Sequence, residues 1–341
     1  MVKKVVTFGE IMLRLSTERH LRFSQANSFL ATYGGSEFNV AVSLSNFNIA
    51  TEFVTSIPAN ELGARALEEV RKKNVGTSYI DRKGKRLGVY YLETGASSRG
   101  SSVLYDRDDS SFGNISVGEI NWDAVFKDAN WFHWSGVSPG VSANAAEVCL
   151  EAVKAANKRG MKVSCDLNYR SKLWKYGKEP KEIMPELLRN SDIVLGDIDT
   201  ACLMTGLEKL NPDYSDINSL PEVYMHFLEH YPNIKVMATT LRYSVNASHQ
   251  KIGGVLYDRN KAYVATLREV IPVVDRVGSG DAFMGGLIYG LLDKPNNFQY
   301  AIDFAAAACC LKHSISGDYN LVSVAEVEKL MSGNEAALVA R

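Results

Sequence analysis

The segment "DRVGSGDAFMGGLIYG", residues 275–290, sets a carboxylate at the mouth of a helix whose opening turn is nearly bare of side chains. The first N–H groups of a helix have no partner within it, and the aligned peptide dipoles make that end positive. Glycine on either side of a serine lets an anion approach those groups, so Gly278, Ser279 and Gly280 suit a phosphate, or charge developing on one. Asp281 then sits beside an anion, which is unfavourable unless the carboxylate has chemical work. The economical work is to take a proton from a hydroxyl that attacks the phosphate. The loop alone also allows a structural reading, in which Asp281 caps the helix and the glycines make a tight turn. A dinucleotide fingerprint fits poorly: the spacing is G-x-G-D, late in the chain rather than after the first strand. No G-x-x-x-x-G-K-[ST] occurs either.

Such a loop needs a scaffold that ends strands and starts helices along one edge. "KKVVTFGEIM", "TEFVTSI", "ANWFHWSGV", "MKVSCDLN", "DIVLGD" and "NIKVMATTL" read as strands. "SEFNVAVSLSNF", "ELGARALEEVRKK", "NAAEVCLEAVKAANKRG" and "PKEIMPELLRN" carry helical spacing. The alternation predicts βαβ units around a mainly parallel sheet flanked by helices, with ligands beyond the carboxyl ends of the strands. Residues 84–113 break the alternation: they have period two and turn around "TGASSRG", as an antiparallel hairpin does. Residues 11–33 also lack helical periodicity. Together these pieces predict a small β-sheet that covers the site, unless the hairpin is an ordinary surface one. With no repeat, linker or low-complexity run, residues 1–341 read as a single domain with a lid formed by about 11–33 and 84–113.

A chain of 341 residues, 46% of them hydrophobic, can bury a large core. Its net charge of −1 leaves no electrostatic footprint for nucleic acid or an anionic membrane, so a small soluble partner is expected. No apolar run is long enough for a membrane span, and Glu10 and Arg14 interrupt the N-terminal apolar run, which therefore does not read as a secretory signal. Cys149, Cys165, Cys202, Cys309 and Cys310 lack C-x-x-C spacing and lie in apolar segments, as reduced core residues of a cytoplasmic protein do.

"DRVGSGDAFMGGLI" resembles the C-terminal signature of the ribokinase-like (PfkB) carbohydrate kinases, D-T-x-G-A-G-D-x-F. "YGGSEFNVAVSLSNF" resembles their N-terminal G-G-x-x-x-N-x-A, with Gly34, Gly35 and Asn39 in register. The two motifs stand about 240 residues apart in the family's order, and the resemblance spans nearly the whole chain. It implies the three-layer ribokinase-like α/β fold with a β-sheet lid. It also implies ATP and Mg²⁺ as cofactors, leaving a monovalent cation and a homo-oligomer open. Asp281 becomes the catalytic base and the glycine loop the anion hole. The same resemblance assigns Gly34, Gly35 and Asn39 to the sugar, and Asn168, Arg170, Thr240, Gly278 and Gly280 to the nucleotide.

Within that family "FGEIMLRLS", "GVYYLE", "VLYDRDDSS", "CDLNYRSKLW", "DRVGSGD" and "SGDYNLVS" look like the 2-keto-3-deoxygluconate kinases of Entner–Doudoroff and uronate catabolism. Many neutral-sugar kinases carry aspartate where this chain has Arg14. A sugar acid needs a cation, and arginine binds carboxylate in a bidentate way. The resemblance brings Tyr90, Tyr105 and Arg107 from the hairpin onto the sugar acid, with Arg170 on substrate or phosphate. Arg107 has another reading, as the partner of Asp106, Asp108 or Asp109, and the tyrosines another as cross-strand packing. Asp318 resembles a substrate residue of the family and also suits a turn.

Three departures stand out. Family members carry N-x-x-E to organise water around Mg²⁺; here Asp197 and Thr200 hold those positions, with Asp199 one residue from the second, which leaves the metal site open with the two aspartates as candidates. Arg276–Val277 replaces two small residues, and Arg276 either reaches the ligands or pairs with Asp275. The glycine-rich T-L-G-x-x-G becomes "TTLRYSVNASHQKIGG", which makes the nucleotide side unusual near Arg242. "YAIDFAAAACCLKHS" is expected to wall the adenine pocket or to be plain core. The competing functions are a kinase of fructose or another neutral sugar, and a catalytically weak sugar-binding regulator. The retained Asp281 speaks against the second, because a binder gains nothing from a carboxylate beside its phosphate site.

Overall fold

The computed structural model describes residues 3–333. Among them a ten-stranded sheet runs in the order Ala262–Val264, His249–Tyr257, Val236–Asn246, Ile193–Leu195, Lys162–Asp166, Trp131–Ser135, Lys4–Phe8, Ala50–Ile57 and Ile80–Arg82. Arg268–Val270 pairs with His249–Tyr257 off that path. From Val236–Asn246 to Ile80–Arg82 every pairing is parallel. Parallel strands covered on both faces must be apolar on both, and "WFHWS" at 131–135 is buried throughout. Even its His133 is buried: it bonds to Ser164 Oγ at 3.0 Å, and burial pushes its pKa down to about 3, so the imidazole is neutral.

Helices cover both faces. Ala143–Lys158, Pro180–Leu188, Ile198–Thr205 and Leu220–Glu229 pack one core with the sheet. Ser36–Asn46, Ser279–Asp293 and Phe298–Lys312 pack the other. This is the three-layer α/β arrangement expected from the alternation. No helix among the described residues is long and apolar enough to cross a membrane, and all five cysteines are buried.

Two details differ from the sequence reading. The first apolar run is not one strand. It breaks at Gly9–Ile11, and Met12–Ser16 crosses into a second sheet. The polar stretch after Leu241 continues as a long antiparallel pair, with Arg242 opposite Ile252. Its outer turn is exposed, so it needs no apolar alternation to fold.

The second sheet has four strands in the order Leu30–Gly34, Met12–Ser16, Gly88–Glu93 and Ser102–Asp106. The hairpin expected within 84–113 is present, with Tyr90 directly opposite Tyr105. The residues from 11–33 join it through a parallel pairing that sets Arg14 beside Tyr90. One face of this sheet looks onto the carboxyl edge of the large one.

Candidate active site

Between the two sheets lies an open cleft of about 750 Å³. It is bounded by the carboxyl ends of Lys162–Asp166, Ile193–Leu195 and Val236–Asn246, by the turn before Ser279–Asp293, and by the small sheet. Strand ends of a parallel sheet are where α/β folds bind ligands.

The glycine loop forms one end. Gly278 is the residue before the helix and takes a left-handed φ of 79°. A Cβ there would meet the Asp318 carbonyl oxygen at 1.9 Å, so both backbone and space demand glycine. At Gly280 a Cβ would meet nothing, because that face opens on the cleft. The N–H groups of Gly280 and Asp281 have no acceptor in the preceding turn, whereas Ala282 N–H bonds to Gly278 O at 2.9 Å. Two donors are thus left for an anion.

Asp281 does not cap its helix. Its carboxylate accepts from Ser36 Oγ at 2.8 Å and Asn39 Nδ2 at 2.7 Å, which joins residues 242 apart in sequence. Ser36 Oγ in turn accepts from Asn168 Nδ2 at 2.9 Å, so its own proton points at Asp281. Both oxygens are held while the group still lines the cleft. Burial raises the Asp281 pKa; the bonds from Asn39 and Ser36 and the charge of Arg170 act against that. Two more acids stand behind it. Burial, and then the Asp281 charge, push Asp166 up to about 7. Glu37 is also pushed up to about 7 by burial, although Ser138 and Ser135 donate to it. A proton is therefore easily held in this floor at neutral pH.

Toward the small sheet, Asp318 is buried and accepts from Arg14 Nη1 at 2.6 Å and Tyr90 OH at 2.5 Å. Arg14 Nη2 reaches Asp275 at 2.6 Å, and its Nε reaches Ser16 Oγ at 2.7 Å. Burial opposes the Arg14 charge, but Asp318 and Asp275 outweigh it and hold the guanidinium more firmly charged than in water. Arg14 therefore positions two carboxylates and is not free for a ligand's carboxylate. Asp275 is taken by Arg14, so Arg276 does not pair with it. Arg107 pairs with buried Glu10 and with none of its acidic neighbours; Asp106 pairs instead with Arg86. Arg107 lines the cleft, and its Nε has no partner. Tyr105 lines the cleft below Tyr90, their ring centroids 6.2 Å apart. Arg170 is exposed over the same cleft, and its one hydrogen bond goes to the Tyr169 carbonyl at 3.0 Å.

Gly35, Asn39, Asn168 and Thr240 also line the cleft, whereas Gly34 packs against the Asp318 carboxylate. Asp197 lines it too, but as a helix cap: its oxygens accept from Thr200 N at 2.8 Å and Thr200 Oγ1 at 2.7 Å. Asp199 turns away, accepts from Asn211 N and pairs with Lys209 at 3.5 Å. No cluster of three His, Cys, Asp or Glu among the described residues can cage a metal. The helix Phe298–Lys312 is core, and none of its residues lines the cleft. Sequence reasoning missed Ser36, which sits inside the N-terminal motif, and the Arg14–Asp275 pair.

Residues 2–323 match the description of the pfkB family carbohydrate kinases. The chain belongs to that family. Its fold agrees with the crystal structure of 2-dehydro-3-deoxygluconokinase from Thermotoga maritima at a TM-score of 0.92 and 38% identity, over 98% of this chain and 99% of that one. The 2-dehydro-3-deoxygalactonokinase of Haloferax volcanii is 29% identical over 99% of each chain. The 5-dehydro-2-deoxygluconokinase of Bacillus licheniformis is 27% identical over 96% of this chain and 95% of its own. The protein is thus a carbohydrate kinase.

Proposed function

We propose that this kinase transfers the terminal phosphoryl group of ATP to a hydroxyl of a keto-deoxy sugar acid, 2-keto-3-deoxygluconate in the first instance, giving its 6-phosphate. The observation that carries the reading is Arg170: a guanidinium with no carboxylate partner, in the same cleft as Asp281 and close enough to act on its charge. A neutral sugar gives such a cation nothing to neutralise. The three relatives above are all named for dehydro-deoxy hexonates, which carry a carboxylate.

In this reading Asp281 accepts the proton of the attacking hydroxyl, held in aim by Ser36 and Asn39. The N–H groups of Gly280 and Asp281 stabilise charge on the phosphoryl in flight. Asp318 and Tyr90 set the sugar's hydroxyls, and Arg170 and Tyr105 take its carboxylate end. Mg²⁺ would supply charge neutralisation on the nucleotide phosphates, and Asp166 and Asp197 are the cleft carboxylates within this chain suited to hold it. Asp197 is engaged by Thr200, so the donor set that the chain itself would offer the metal is sparse. Buried cysteines without C-x-x-C spacing fit a cytoplasmic setting.

Mass spectrometry of ATP-dependent products over a panel of sugars and sugar acids tests the reading. Keto-deoxy hexonates should be phosphorylated far faster than fructose. Arg170→Ala should raise KM for the acid by roughly 10–100-fold, as for one lost charged hydrogen bond of about 1.5–3 kcal/mol, and change fructose kinetics little. Equal losses on both acceptors would remove Arg170 as the carboxylate reader, and no product at all would favour a sugar-binding regulator.

A second expectation concerns the small sheet. Phosphoryl transfer must exclude water, and the large sheet cannot close over its own strand ends. The hairpin touches the opposite wall through Lys172, which donates to the Val103 carbonyl. Hydrogen exchange at 84–113 should be fast in the free kinase and slow once the sugar acid is added. Protection that is high without ligand and unchanged by it would make the hairpin a static element.

A further inference from the structure

We propose that Arg242 and Arg276 form a paired guanidinium clamp for the terminal phosphates of the donor nucleotide, one that binds them even before a metal is added. The inference rests on the reading that the cleft takes a nucleoside triphosphate. Arg242 stands on Val236–Asn246 and donates from Nη2 to Ser279 Oγ at 2.9 Å, which places it against the first turn of the Asp281 helix. Its Nε is buried and has no partner. Arg276 precedes the same loop, and both arginines line the cleft. Neither forms an ion pair with a carboxylate of the described residues. The nearest acid in sequence, Asp275, is committed to Arg14.

Two cations side by side at the positive end of a helix raise the energy of the folded chain unless an anion lies between them. Burial, and then the Arg242 charge, lower the Arg276 pKa. His313, behind the loop, is pushed down to about 4 by burial, with Arg242, Lys312 and Arg276 adding to the effect. The arrangement is a site for a polyanion, and guanidinium matches phosphate in a bidentate way. It also answers the thin metal site. Where the resemblance led one to expect N-x-x-E, the chain has a cap, Asp197–Thr200; where it led one to expect a glycine, it has Arg242. The charge neutralisation lost on one side of the cleft is returned on the other by protein.

The test is calorimetric binding to the intact kinase in EDTA, with inorganic tripolyphosphate, ATP and adenosine as probes. Wild type should bind tripolyphosphate and ATP without metal. Arg242→Gln and Arg276→Gln should each weaken both by about tenfold or more and leave adenosine unchanged. Added Mg²⁺ should then recover more ATP affinity in the variants than in wild type. Arg276 is exposed, so its variant carries the test if Arg242→Gln does not fold. Tripolyphosphate that fails to bind wild type in EDTA, or that binds the folded variants within about threefold of it, overturns the clamp. No sugar is present, so the clamp can stand if the sugar-acid reading falls, and the reverse.

Discussion

Asp281→Asn should lower kcat by on the order of 10²–10⁴-fold while leaving the KM of the acceptor nearly unchanged. The amide keeps the size of the carboxylate and cannot accept the proton of the attacking hydroxyl. Its two neighbours constrain the outcome further. Asn39 and Ser36 both donate to Asp281, so an asparagine side chain must turn one amide hydrogen toward a donor or rotate away. Ser36→Ala relieves that conflict, and the double variant should be no more active than Asp281→Asn alone. That outcome separates loss of the base from distortion of the site. The pH profile gives an independent reading. Burial raises the pKa of Asp281, so the base is lost as pH falls through a value above the ordinary aspartate range. The acidic limb of kcat/KM should lie there in wild type and vanish from the residual rate of Asp281→Asn. A variant within about threefold of wild type would end the assignment of the base.

The parts of this site that were legible in the sequence are those whose chemistry is local. Glycine, serine, glycine and aspartate at the start of an apolar helical run are enough to place an anion cradle, because helix termini leave donors free whatever surrounds them. The strand–helix alternation placed that cradle on the carboxyl edge of a parallel sheet for the same reason. Charge partners were not local. Arg107 has acids at 106, 108 and 109, but the chain at the end of Ser102–Asp106 sends those three to solvent and Arg107 inward, where Glu10 waits. Asp199 is two residues from Asp197, and two residues on a helix turn a side chain by about 200°. It therefore leaves the cleft that Asp197 lines. The antiparallel strands at 249–270 were hidden because the buried run of His249–Tyr257 is short and is interrupted by Gly253 and Gly254. Arg14 was read as a candidate for a ligand's carboxylate, since its partners lie 261 and 304 residues away and no periodicity pairs them.

That pair of contacts carries the largest expected effect on stability. Arg14, Asp275 and Asp318 are all buried, and the arginine belongs to the small sheet while both acids belong to the far end of the chain. Arg14→Met keeps much of the volume and removes the charge. It leaves two carboxylates in low dielectric with no guanidinium between them, so we expect a loss of about 3–5 kcal/mol, against a few tenths for an exposed pair such as Arg65–Glu69. The pH dependence gives the sign. Burial already raises Asp318, with Arg14 and Tyr90 acting against it, and removing Arg14 raises it further. A carboxyl whose folded pKa is raised binds protons more tightly when folded, so the variant gains stability as pH falls. The gap between wild type and variant in denaturant melts should thus be widest near neutral pH and narrow toward acid. Asp318→Asn in the same chain should recover part of the stability, because one of the two stranded charges is gone. It should not recover acceptor affinity, because Asp318 is the group that Arg14 and Tyr90 hold over the cleft. Stability regained with KM still raised would show that Arg14 acts by positioning Asp318. A loss below about 1 kcal/mol in Arg14→Met at neutral pH would mean that this buried triad does not hold the small sheet to the glycine loop.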